Sequence, residues 1–95
     1  MIVPSPLPEP IRRAVLALRA QGATEIYLFG SAARGELTDR SDLDFAVRGI
    51  PAFKYFRAVG EAMAASGIPV DLIDLESDSP FARALQSRGN LRRVG

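Results

Sequence analysis

The chain has no cysteine and no histidine, and Lys54 is its only lysine. Without cysteine there can be no disulfide, zinc–thiolate site or thiol nucleophile. Without histidine there is neither the usual imidazole base nor an imidazole metal ligand. Any catalysis must therefore run on carboxylates, hydroxyls, backbone amides, arginine, tyrosine and a bound ion. Long apolar runs are missing too: none reaches the ~18 residues of a membrane span. No charged start followed by an apolar stretch marks a signal peptide, so a cytoplasmic protein is expected. A strong charge of one sign is also absent. Twelve basic residues against eleven acidic ones leave a net charge of +1, too little to argue for binding a nucleic-acid backbone.

What is present is a globular balance. The 95 residues are 47% hydrophobic and 24% charged, enough for one domain over residues 1–95 with a modest core. Residues 1–9 belong to a proline-rich arm holding Pro4, Pro6 and Pro8, with Pro10 in the first turn of a helix. Ile11, Val15 and Leu18, with Leu16 beside them, follow helical spacing up to Gly22. Glu25 to Phe29 reads as a buried strand that Gly30 ends, and residues 31–35 give one helical turn before polar turn material. Leu43 to Val47 forms a second strand. Phe53, Phe56, Val59, Gly60 and Met63 mark one face of a helix ending at Gly67, and Val70 to Leu75 forms a third strand. Ser77–Ser79 offers a cap for a last helix with Pro80 in its first turn and with Phe81, Ala84 and Leu85 pointing inward. Residues 90–94 add a short edge strand. This order predicts an α/β fold, a small mixed β-sheet with helices packed mainly on one face.

Three features carry chemistry. Gly30-Ser31 follows a strand directly and runs through Arg34 to Gly35. A glycine there lets backbone approach a ligand, and amides at a helix N-terminus suit phosphate oxygens, although plain turn chemistry also explains the pair. Asp42 and Asp44 are two apart, so on a strand both carboxylates project from one face. Like charges held that close are unfavourable unless a cation lies between them, and oxygen ligands without histidine or cysteine point to Mg²⁺ or Mn²⁺. The alternative is that Asp42 caps the turn and Asp44 faces solvent. Asp71 lies in an apolar strand, where an unpartnered carboxylate is costly. The interval from Asp44 to Asp71 suits a crossover that sets both strands in one sheet. Asp71 then faces the same edge as Asp42 and Asp44, or it pairs with an arginine. Asp74, three residues on, falls on the opposite face as a structural residue.

Together, GSAARG, six spacer residues from Glu36 to Ser41, DLD in a strand and VDL in a later strand resemble the nucleotidyltransferase domain of the DNA polymerase β superfamily. The match is similar to its MNT type, the small antitoxin partner of HEPN toxins. It spans about residues 25–75. The resemblance implies that Gly30 and Ser31 hold the β and γ phosphates of a nucleotide. It implies that Asp42 and Asp44 bind Mg²⁺ (or Mn²⁺), and that Asp71 is a further metal ligand or the base at the attacking hydroxyl. Arg34 is a candidate phosphate contact, or a surface partner of Glu36 or Asp39.

The function so implied is transfer of AMP, or NMP generally, from an NTP to a hydroxyl. ATP would be the substrate, and the acceptor a tyrosine on a partner HEPN toxin. A hetero-oligomer is expected, with a homodimer as the alternative. A nucleic-acid substrate or a membrane is not. Antibiotic nucleotidyltransferases and tRNA or poly(A) polymerases share the motif on longer chains with added domains, and 95 residues disfavour them. The rival reading is a non-catalytic nucleotide-binding module that neutralises its partner by contact, with Arg12, Arg13, Arg92 and Arg93 as a docking surface or as ordinary solvated charges. A third is a scaffold that binds nucleotide as a regulator.

Overall fold

A computed structural model of the chain describes residues 7–30, 42–88 and 91–95. Helix α1 spans Glu9–Ala20, with proline in its first turn, Glu9 near its N-terminus and Arg19 in its last turn. Each of these suits its place, since proline needs no helical N–H there and the charges complement the helix dipole. The helix buries Ile11, Ala14, Val15 and Leu18, a single stripe at three- and four-residue spacing. Leu16 lies outside that stripe and is exposed.

The sheet is built from β1 (Glu25–Phe29), β2 (Leu43–Arg48), β3 (Val70–Asp74) and the short β4 (Arg92–Arg93). Its order is β3-β2-β1-β4. β1 runs antiparallel to β2 and β4, whereas β3 runs parallel to β2. A parallel neighbour needs a crossover, and α2 (Tyr55–Ser66), preceded by a single 3-10 turn at Ala52–Lys54, supplies it. The expected edge strand is therefore present, at residues 92–93.

Strand alternation sorts the side chains onto two faces. Ile26 pairs with Val47, Leu28 with Phe45 and Leu43 with Val70, so these six share one face. They form a core with α1 and α2 in which Leu18, Ile26, Leu43, Phe45 and Val47 are fully buried. The opposite face carries Phe29, Asp44, Asp71, Tyr27, Ala46, Ile73, Glu25 and Arg48, by the same registers. Helix α3 (Pro80–Arg88) meets this second face. The ring of Phe81 packs edge-on against Phe29 with centroids 6.0 Å apart, and Arg48 donates to Gln86.

Two helix faces differ from the expectation. The stripe of Phe53, Phe56 and Met63 does not pack: Phe56 is 97% exposed, and the buried residues of α2 are Ala58 and Ala62. Small alanines let α2 approach α1 closely, and that close approach decides the buried stripe over side-chain size. On α3 the inward residue is Ala82, with Ala84 and Leu85 only half-buried and Phe81 51% exposed. The cap is as expected: the hydroxyl of Ser79 accepts the Ala82 N–H at 3.1 Å. Among the described residues, no helix is long and apolar enough to cross a membrane.

Candidate functional site

Asp44 is the hub of the second face. It lies on β2, which is paired on both sides, and it is the register partner of Phe29 on β1 and of Asp71 on β3. The start of β2 is pinned where the Leu43 N–H donates to the Pro69 carbonyl at 2.8 Å, just before β3 begins. This bond sets Asp44 and Asp71 level across the parallel pair. Asp42 sits exposed immediately before the strand. Partial burial holds the Asp44 carboxyl above the ordinary carboxylate range, and the neighbouring Asp71 and then Asp42 carboxylates push the same way. The three acids that sequence singled out are thus brought within electrostatic reach of one another.

Gly30 closes the other side. Its φ is +72°, and a Cβ built on it would stand 2.5 Å from Asp44 Oδ2. The backbone at the end of β1 therefore lies directly on the Asp44 carboxylate, which any side chain at this position would have to displace. Ser31 and Arg34, the remaining phosphate-contact candidates, lie outside the described residues. So does the polar turn that leads into Asp42.

One expectation needs correction. Asp71 is not a carboxylate forced into a buried strand, because β3 is an edge strand and Asp71 is exposed. Burial cost therefore does not explain its presence; its register opposite Asp44 does. Asp74 falls on the helix-covered face, opposite Val47, where its Oδ1 accepts the Glu76 N–H at 2.8 Å. That is the structural role expected of it. Sequence reasoning passed over the nearby Tyr55, whose buried hydroxyl has no hydrogen-bond partner among the described residues. Burial and the Asp74 carboxylate raise its pKa.

The donor set fits a divalent cation in kind. Asp44 and Asp71 face each other as hard oxygen donors whose mutual repulsion a cation would remove. The fit is not a preformed cage: among the described residues no three acids are already gathered around a single point. The basic residues offered as a docking surface are largely engaged. Arg12 and Arg13 both bond Glu9, and Arg93 lies over the Tyr27 ring while donating to the Gly95 carbonyl at 3.0 Å.

Comparison with known proteins places the chain in a family. Residues 17–91 match the family described as Polymerase beta, Nucleotidyltransferase. A toxin–antitoxin complex with AMP-PNP is 26% identical over 86% of this chain and 69% of that one, with a TM-score of 0.70. A variant of the MntA–HpeT toxin–antitoxin is 27% identical over 95% of this chain and 73% of that one, also at 0.70. A third solved structure is a tri-AMPylated HEPN toxin from Shewanella oneidensis in complex with an MNT antitoxin. It is 24% identical over 88% of this chain and 67% of that one, with a TM-score of 0.63, and likeness at that identity speaks to the fold alone. Sequence comparison with curated proteins gave no match. With the family match covering most of the chain and the minimal fold shared with these antitoxin structures, the chain belongs to the polymerase β nucleotidyltransferase family and resembles its MNT type.

Proposed function

We propose that this protein is an antitoxin that transfers AMP from ATP to a tyrosine hydroxyl of a partner HEPN-type toxin. The observation that carries the reading is the convergence on Asp44 of the Gly30 backbone from β1 and the Asp71 carboxylate from β3. The relative that holds AMP-PNP within a toxin–antitoxin complex supports both the nucleotide and the kind of partner.

In this reading the Gly30 backbone, with Ser31 and Arg34, holds the triphosphate. Asp42, Asp44 and Asp71 would hold Mg²⁺, with Mn²⁺ suited to the same donors. When bound, the cation supplies Lewis-acid stabilisation of the charge that gathers on the phosphate oxygens. Asp71, exposed at the sheet edge, can accept the proton of an incoming hydroxyl. The hydroxyl oxygen bonds to the α-phosphorus, the bond from that phosphorus to the αβ bridging oxygen breaks, and pyrophosphate leaves. No histidine is needed at any step.

The test is incubation with α-labelled ATP, Mg²⁺ and the candidate helical partner, comparing wild type with Asp42→Asn/Asp44→Asn. Label on a partner tyrosine with wild type only is the expected result. If the double variant neutralises the partner equally well with no label on either chain, contact alone is the mode of action and the catalytic reading fails.

Gly30→Ala probes the same geometry more gently. Its Cβ must displace the Asp44 carboxylate, which can swing aside, while the positive φ costs on the order of 1 kcal/mol of stability. Transfer should fall about 10²-fold, because misplacing a positioning group by about 1 Å has an effect of that order. Circular dichroism should show the fold retained. An unchanged rate would mean that the Gly30 approach is incidental.

A further inference from the structure

Two aromatic rings on the face that carries Asp44 are not used by the chemistry above. Phe29 is the cross-strand partner of Asp44, so its Cα lies about 4.5–5.5 Å away and its ring rises from the same face of the sheet. Phe81 reaches that face from α3 and meets Phe29 edge-on, at 6.0 Å between centroids and 67° between planes. A core role accounts for Ala82, which is fully buried, but not for Phe81, which leaves 51% of its surface in water. Phe56 is still more exposed, yet it lies on α2, which packs against the other face of the sheet from Asp44. What distinguishes Phe81 is placement: its ring meets Phe29, which is the register partner of Asp44. The placement suits a ligand with charged oxygens at one end and a flat aromatic group at the other.

We infer that Phe81, steadied edge-on by Phe29, is the platform on which the nucleobase of the bound nucleoside triphosphate stacks. The inference rests on the nucleotidyl-transfer reading and adds to it the subsite for the base. The ring is not stacked face-to-face on Phe29 and half of its surface is exposed, and base–aromatic stacking needs an aromatic face and no hydrogen-bond partner. The anchor is firm although the ring is half-exposed. Pro80 and the Ser79 cap fix the first turn of α3, and Gln86 ties its last turn to the Leu75 carbonyl and to Arg48. Recognition through a π-face favours the larger purine ring without reading its edge.

Binding of ATP and of inorganic tripolyphosphate, each with Mg²⁺, should be measured by calorimetry for wild type, Phe81→Ala and Phe81→Trp. The expected result is that Phe81→Ala weakens ATP on the order of tenfold and leaves tripolyphosphate unchanged, while Phe81→Trp restores ATP binding. Equal weakening of both ligands would mean that Phe81 only shapes the site, and unchanged ATP binding by Phe81→Ala would mean that the base lies elsewhere. Either result overturns the inference while leaving nucleotide binding intact. If wild type binds neither ligand, the nucleotidyl-transfer reading itself falls, and this inference with it.

Discussion

Asp44→Asn should make the metal-free protein more stable at neutral pH and slow the proposed nucleotidyl transfer by about 10³-fold. The rate loss corresponds to about 4 kcal/mol of transition-state stabilisation, the scale of a lost charge clamp on the transferring phosphate. The stability gain follows from the direction of the Asp44 shift. Partial burial and the Asp71 and Asp42 carboxylates hold its folded-state pKa above the ordinary 3.8. The folded protein therefore binds that proton more tightly than the unfolded chain does. This contribution is complete below pH 3.8 and is lost as pH rises through the folded value. Above it the ionised group opposes folding, and asparagine removes that opposition. The gap in Tm between variant and wild type should open with rising pH and close in acid. Mg²⁺ should reverse the order, because a ligand that binds only the folded state raises the stability of wild type and not of the variant. Thermal melts across pH, with and without MgCl₂, check both halves. A variant that melts below wild type without metal, or that gains as much from Mg²⁺, would show that the three acids do not form one electrostatic site.

The second large effect lies at the opposite end of β2. Gly49→Ala should lower stability by about 2–4 kcal/mol, the upper range for strain at a forbidden backbone conformation with an added clash. For a domain of this size that lowers Tm by on the order of 10 °C or more. Gly49 has φ +99°, and a Cβ there would stand 2.7 Å from the Gly22 carbonyl oxygen and 2.9 Å from the Thr24 nitrogen. Neither is a side-chain tip that can yield. The contact is also where the entry to β1 is latched onto the exit of β2, through the Thr24 N–H donating to the Arg48 carbonyl at 2.8 Å. Gly60→Ala is the matched control: Gly60 lies within α2 with open space around it, so alanine should hold or raise Tm through helix propensity alone. Melts of both variants decide the matter, and equal Tm values would mean the latch can be displaced without cost. Because Gly49 is remote from Asp44 along the strand, transfer below the new Tm should persist in Gly49→Ala.

The strands were legible because they depend on local pattern. EIYLF, LDFAV and VDLIDL are apolar runs bounded by glycine, proline or polar turns; the two-residue spacing put Asp42 on the same strand face as Asp44, whereas β2 begins only at Leu43. The length between Asp44 and Asp71 foretold a crossover and hence a shared sheet. What escaped were choices made between elements. The 56-63 stripe of α2, led by Phe53 in the turn before it, is as periodic as the 58-62 stripe, and only the close approach of α1 selects the alanines. Asp71 read as buried because sequence does not say which strand lies at an edge. Phe81 read as core because nothing local shows that α3 crosses to the chemical face and meets Phe29 there. The Gly49 latch escaped too, since its neighbours Gly22 and Thr24 come from another turn.

The register between β2 and β3 has one more consequence. Leu43 opposite Val70 and Phe45 opposite Leu72 are apolar pairs facing the helices, while Asp44 opposite Asp71 faces away. Sliding β3 by one residue would turn Val70 and Leu72 outward and drive Asp71 toward the core, so misalignment is penalised by oil as much as by charge. The greasy side of the sheet thus acts as a proofreader for the polar side. A molecule that has buried its core correctly has already aligned its acids, and a misaligned one is eliminated as a folding failure instead of persisting as a folded but inert protein.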